Sequence, residues 1–351
     1  MRWTKNEHKK FNKGEYSNFI LAGDIGGTNS SLGICGVKNG FSKLLVSFSF
    51  KSREIGSFHR AVNEILRLVK QEYNISATKA CFGVAGVVSP DKKSAEIAKL
   101  GLNLSSRSII KKTGLKQAIF INDFQAIGYA VNIIKKGQFA VIKNGIKVPK
   151  SNILVIGAGT GLGKSLLVFD KNEKFYEPVA SEGGHTDFPA QTSEEAKLVE
   201  FIKGYRKIKN VPYEQLLSGP GLSNIYLFLR KSERFGRSEC TKEVDRSSYN
   251  PELISKYRKS DKTCRAAFGM FKKVYAKFAR NMAIDGLSLG GVYIGGGMAP
   301  KNKEIFDREF IKTFEQSSDS ANILKNIPIY LILDRDMGLA GAGFAGARML
   351  R

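Results

Sequence analysis

The chain has 351 residues, 42% of them hydrophobic and 25% charged. That is the mix of a soluble globular protein with one large or two ordinary domains, so wholesale disorder and a collagen-like chain are excluded. Lys plus Arg number 56 against 32 Asp plus Glu, a net charge of +24 that raises nucleic acid or an acidic surface as a partner.

In chain order, residues 1–18 hold five basic and two acidic residues and no apolar core, so they read as a disordered basic tail rather than a secretory signal. Order is expected from Phe19. The run 19–35 reads as strand, glycine turn, strand, and 44–50 as a third strand. Phe58, Val62, Ile65, Leu66 and Val69 recur at helical spacing, so 57–72 is predicted to be an amphipathic helix capped by Ser57. Strands follow at 80–88 and 118–123, the latter running into a helix from about Phe124. A second strand–glycine turn–strand unit spans 153–169, about 130 residues after the first, as in a weak structural duplication. Helices are expected at 193–204, 219–231 and 262–286. A strand breaks into glycines over 290–298, another covers 327–333, and a small-residue helix closes the chain over 338–350. Residues 230–265, with eleven basic and six acidic residues, read as a solvated, partly ordered connection. Strands alternating with helices define an α/β fold with a largely parallel sheet. Cys35, Cys81, Cys240 and Cys264 lack metal-ligand spacing and are too scattered for a disulfide framework, so a reduced, cytoplasmic setting is expected. No apolar run approaches the ~18 residues of a membrane span, so no membrane is expected as a partner.

Three glycine clusters carry the chemistry. In Asp24-Ile25-Gly26-Gly27-Thr28-Asn29, the glycines let backbone N–H groups approach an oxyanion, and Thr28 and Asn29 add donors. Asp24 repels phosphate and makes sense as the group that orients a hydrated Mg²⁺; a plain hairpin turn with a capping Asp is the alternative. The run Gly157 to Ser165 ends Gly-Lys-Ser, but five residues rather than four separate Gly157 from Gly163. A strand follows instead of a helix, so neither a P-loop nor a dinucleotide loop fits. Two phosphate clamps facing across a cleft are expected instead, with Lys164 an edge-exposed residue or a modest electrostatic aid. Gly295-Gly296-Gly297 would let a flat ring lie on the backbone, or else serve tight strand–helix packing. Among polar residues, Asn122-Asp123 ends a strand, which suits a general base beside a positioning amide, or equally a helix N-cap. Glu182 and His185 flank two glycines without a third metal ligand at suitable spacing, which favours hydrogen bonding to a polyol. Glu214, by local pattern, is a surface glutamate.

Together, LAGDIGGTN, FGVAG, INDFQAIGYA, VIGAGTGLGKSLL, EGGHTDF, EQLLSGPGLSNIY, GGVYIGGGMAPKN and GLAGAGFAGARM resemble the bacterial-type glucokinases, from about Leu21 to Arg348 and in the family's order. The resemblance implies a two-lobed actin-like (ribonuclease H-like) α/β fold with a ligand cleft between lobes: 19–133 plus 337–351 as a small lobe and 134–336 as a large one. It implies transfer of the γ-phosphoryl of Mg·ATP to the 6-hydroxyl of glucose, with Asp123 as catalytic base. Asn122, Glu182, His185 and Glu214 are then the sugar-binding residues. Gly23, Asp24, Ile25, Gly26, Gly27, Thr28 and Asn29 form the ATP phosphate loop, with Asp24 holding Mg²⁺ through water. Gly159, Thr160 and Gly161 face the nucleotide, and Gly295, Gly296 and Gly297 its ring. A homodimer is the expected assembly. The sequence departs from the family after FGVAG, where KLGLNLSSRS replaces a Thr-Asn pair and a nearby tryptophan; the only tryptophan is Trp3. QTSEEAKL after the EGGH segment has no cysteine, so the zinc of the related ROK branch is not expected. Rival readings are a kinase for another hexose or amino sugar, a sugar-sensing repressor on the same fold, and a nucleic-acid binder. Only about 18 residues precede the first predicted strand, too few for a helix-turn-helix domain. The basic residues form no stripe interleaved with aromatics, which argues against specific nucleic acid.

Overall fold

The computed structural model describes residues 2–8 and 10–350. The chain divides into two compact units. Unit 1 comprises the chain up to Gln138, Phe169–Ala180, and the chain from Asp334 onward; unit 2 comprises Phe139–Val168 and Ser181–Leu333.

Unit 1 contains β1 (Thr4–Glu7), β2 (Asn18–Ile25), β3 (Asn29–Lys38), β4 (Phe41–Lys51), β5 (Lys79–Val84), β6 (Val87–Val88), β7 (Ser94–Ile97), β8 (Leu102–Ser105) and β9 (Gln117–Asn122). Its main sheet runs β1-β4-β3-β2-β5-β9, antiparallel from β1 to β2 and parallel from β2 to β9. Successive residues of a strand face opposite sides, and here both sides are covered. Leu21 and Phe82 join the core with Val62 and Ile65 of helix Phe58–Tyr73. Their neighbours Ala22 and Cys81 pack with Tyr129 of helix Asp123–Val131 and Ala342 of helix Met337–Met349. Two-sided burial explains why β2 reads as an almost unbroken apolar run. The closing helix approaches closely because its facing residues are small: a Cβ on Gly341 would overlap the Ala126 carbonyl.

Unit 2 is built on β10 (Phe139–Lys143), β11 (Ile153–Ala158) and β12 (Leu162–Asp170). The chain then enters unit 1 with β13 (Phe175–Ser181) and returns for β14 (Val292–Gly295) and β15 (Ile329–Ile332). The unit 2 strands run β10-β15-β14-β11-β12. Antiparallel β12-β11 followed by parallel β14 and β15 repeats the pattern of β3-β2-β5-β9, so the expected duplication exists at the level of topology. Helices Ser193–Arg206, Gly219–Lys231 and Lys262–Asp285 cover this sheet's core, with Leu198, Ile225 and Phe278 fully buried.

Three expectations need correction. Residues 1–18 do not form a disordered tail among the described positions; Met1 and Lys9 lie outside them. β1 pairs with the outer edge of β4, Trp3 meets Phe48 edge-on at 5.2 Å, and Trp3 Nε1 donates to Glu64 at 3.1 Å. An open sheet edge offers hydrogen bonds that a basic segment with one good apolar anchor can take. Second, the expected large lobe, 134–336, loses Phe169–Ala180 to unit 1. There Phe175 stacks on Tyr129 at 6.3 Å, Gln125 Nε2 donates to Pro178 O at 3.0 Å, and Asn132 Nδ2 donates to Tyr176 O at 2.9 Å. Third, 230–265 is not a loose connection. It forms helices Glu239–Arg246 and Pro251–Tyr257, which bury Val244 and Ile254. Asp261 ties them down, accepting from Ser238 Oγ and Thr241 Oγ1 at 2.6 Å each.

Candidate active site

In unit 1 the site begins with register. Asp24 lies opposite Gly83, which lies opposite Ile121; Ile25, Val84 and Asn122 form the next row. β2, β5 and β9 are parallel, so Asp24 and Asn122-Asp123 emerge at the same C-terminal edge, two strand spacings or ~10 Å apart. Catalytic groups collect at such edges in α/β proteins. The loop after β2 is pinned from β4's end: Ser52 Oγ donates to Gly26 O at 2.6 Å, Ser52 N to Thr28 O at 3.0 Å, and Lys51 Nζ to Asn29 Oδ1 at 2.9 Å. Ser52 was not singled out in the sequence, because it lies 26 positions from the glycine it holds.

Asn122, not Asp123, caps helix Asp123–Val131. Asn122 Oδ1 accepts from Phe124 N at 2.9 Å, and Gln125 Oε1 accepts from Asn122 N at 3.2 Å, completing a capping box. Asp123 occupies the first helical position, and its Oδ1 also accepts from Phe124 N, at 3.0 Å. Burial, and then the charge of Asp336, push the pKa of Asp24 up to about 6. Asp336 is itself raised by burial, against the opposing charge of His8, whose Nε2 lies 3.8 Å from Asp336 Oδ2. Gly338 leaves the space that Asp24 occupies: a Cβ there would sit 2.6 Å from Asp24 Oδ2.

In unit 2 the remaining predicted residues meet around β11, β12 and β14. Gly157 pairs with both Gly163 and Gly295. A Cβ on Gly157 would lie 2.5 Å from Gly295 O, so the two glycine clusters pack backbone to backbone. Gly296 has φ +80°, the left-handed region that favours glycine. Gly219 N donates to Gly159 O at 2.9 Å, which brings the N-terminus of helix Gly219–Lys231 to the Gly159–Gly161 loop. The turn Gly183–His185 lies on β12, where a Cβ on Gly184 would strike the Leu162 carbonyl. His185 Nδ1 is 3.0 Å from Glu182 Oε2, and its Nε2 is 3.7 Å from Glu214 Oε2. Glu214, read locally as a surface residue, is tied in: its Oε2 accepts from Leu162 N at 2.8 Å. Among the described residues no group of three or more His, Cys, Asp or Glu is arranged to hold a metal ion. Unit 2 thus gathers Glu182, His185 and Glu214 into one cluster of polar side chains, and unit 1 carries Asp24 and Asp123 at one sheet edge.

Two topologically repeated sheets, each ending in a glycine loop, are the framework of a sugar kinase of the actin-like fold. The chain matches the glucokinase family model over residues 21–349 and belongs to that family, the ATP-dependent sugar kinases that phosphorylate glucose. It is 32% identical to a glucokinase of Nostoc sp. over 94% of this chain and 99% of that one. Among solved structures it resembles a glucokinase from an Antarctic psychrotroph, with TM-score 0.78 and 26% identity over 94% and 98% of the two chains. It also shares the fold of a Balamuthia mandrillaris glucokinase solved with glucose, with TM-score 0.75 and 21% identity over 94% of each chain.

Proposed function

We propose that the protein transfers the γ-phosphoryl of ATP to the 6-hydroxyl of glucose, yielding glucose 6-phosphate and ADP, with Asp123 as general base. The observation that carries this reading is the placement of Asp123 in the first turn of its helix, two strands from the phosphate loop and level with it. A base there accepts the hydroxyl proton as the oxygen attacks phosphorus. Asn122, Glu182, His185 and Glu214 bind the ring hydroxyls. Gly26–Asn29 and Gly159–Gly161 hold the phosphates through backbone N–H groups, and Gly295–Gly297 lie against the nucleotide ring. Phosphoryl transfer needs chiefly positioning and electrostatic stabilisation.

The residues fit a hydrated Mg²⁺. Asp24 and Asp336 offer hard carboxylate oxygens; burial, and then the charge of Asp336, push the pKa of Asp24 up to about 6, and a divalent cation beside the pair would offset that cost. Asp24 and Asp336 would hold such an ion through water, where it would supply charge neutralisation of the phosphate oxygens. Among the described residues no helix is long and apolar enough to cross a membrane, and all four cysteines are free. The free thiols fit a reducing, cytoplasmic setting.

The test is Asp123→Ala in a coupled assay with glucose and Mg·ATP. We expect kcat to fall ~10²- to 10⁴-fold, while glucose affinity measured by calorimetry is largely kept. Near-normal kcat would overturn the assignment.

A further inference from the structure

Lys164, which imitates a P-loop lysine in sequence, has a different position in the fold. It is only 8% exposed, opposite Ile156 in the β11–β12 register. This corrects the expectation of an edge-exposed residue. Its ammonium is 2.9 Å from Asp285 Oδ2, at the last residue of helix Lys262–Asp285. Its stem runs directly beneath the Gly183–His185 turn: a Cβ on Gly183 would lie 2.5 Å from Lys164 Cδ and 3.4 Å from Lys164 Cβ. A lysine stem follows its head group, and an unpaired ammonium swings towards water. A partner fixed on a 24-residue helix holds the stem in one course.

We propose that the Lys164–Asp285 pair is a positioning device that sets the height of the Glu182–His185 turn over β12, and through it the affinity for the sugar. This rests on the reading of Glu182 and His185 as sugar-binding groups. Lys164 is then a positioning residue rather than a phosphate anchor, because its ammonium is held by Asp285.

The test compares steady-state kinetics, with glucose and Mg·ATP varied separately, for Lys164→Ala, Asp285→Asn, the double variant and Glu182→Gln. We expect Lys164→Ala to raise the glucose KM ~5- to 20-fold, the scale of a small misplacement of binding groups, with kcat and the Mg·ATP KM unchanged. Asp285→Asn should reproduce most of that rise, and the double variant should be no worse than Lys164→Ala, since the two residues act as one unit. A lowered melting temperature with both KM values unchanged would mean a merely structural pair and sink the proposal. A rise in the Mg·ATP KM alone would overturn it in favour of a phosphate anchor. If Glu182→Gln raises the glucose KM and Lys164→Ala does not, the positioning role fails while the sugar-site reading stands. If Glu182→Gln has no effect, that reading fails and takes the proposal with it. Should Lys164→Ala not fold, Asp285→Asn alone decides, because Asp285 is 64% exposed and its replacement leaves the core intact.

Discussion

Glu214 shows how much one side chain can be asked to do. Its Oε2 accepts from Leu162 N and stands 3.7 Å from His185 Nε2, so it both holds the start of β12 and faces the imidazole. Glu214→Ala leaves a backbone donor without its acceptor and, on the proposed sugar-binding role, a sugar hydroxyl without a partner. We expect a loss of about 1 to 3 kcal/mol in kcat/KM for glucose, roughly 5- to 150-fold. Galactose, which misplaces one ring hydroxyl, should be a poor substrate for the wild type; comparable kcat/KM for the two sugars would contradict the hydrogen-bonding role. Asp24 gives a pH prediction. Its folded pKa of about 6 lies above the ordinary ~3.9 of an unfolded aspartate, so the folded state binds more protons between those values. Stability from this group is therefore present below pH ~4 and lost as pH rises through 6. In metal-free buffer, Asp24→Asn should raise Tm relative to wild type at pH 7 and lose that advantage at pH 4. The same variant should be nearly inactive at saturating Mg·ATP. Most of the candidate residues stood out in the sequence because each sits in a short local motif; Glu214 did not, since its local pattern is that of a surface glutamate. Their mutual support was not legible: Leu162 and Glu214 are 52 positions apart, and Lys164 and Asp285 are 121 apart.

At the scale of elements, the glycine turns, the capped helix after β9 and helix Gly219–Lys231 were readable from periodicity and cap residues. β1 was not, because a four-residue exposed strand has no pattern of its own and exists only through β4. Its anchor is Trp3, whose ring meets Phe48 and whose Nε1 bonds Glu64. Trp3→Ala should cost about 1 to 3 kcal/mol of unit 1 stability, read by urea unfolding, with kcat unchanged. The closing helix makes the opposite prediction. Gly341 touches the backbone of helix Asp123–Val131 at Ala126, so Gly341→Ala must push that helix away. Overpacking of this kind costs about 1 to 3 kcal/mol or more, and here it should also lower kcat, because the displaced helix carries Asp123. A Gly341→Ala enzyme with wild-type kcat and Tm would show that the packing is looser than described.

For the whole molecule, the net charge of +24 is the property least explained by sugar phosphorylation. Dispersed positive charge binds polyanions without reading sequence, and such binding collapses as salt rises. The protein should therefore stick to DNA or heparin at low salt, release steeply as salt is raised, and show no preference among DNA sequences; a sequence-dependent Kd would contradict this. The allegiance of Phe169–Ala180 was invisible in the sequence, since its partners Gln125, Tyr129 and Asn132 lie some 45 positions upstream.

The four chain crossings between units have a consequence for synthesis. All of unit 2 lies between Phe139 and Leu333, so it can close as soon as that stretch has left the ribosome. Unit 1 starts first and finishes last: β2 is made early, yet the face of it that carries Ala22 is only partly covered, by helix Asp123–Val131, until helix Met337–Met349 arrives. At ~5 to 20 residues per second that wait is on the order of tens of seconds. During it, a nearly continuous apolar strand sits half-covered on the nascent chain, and the unfinished protein is a natural client for chaperones that hold hydrophobic segments apart.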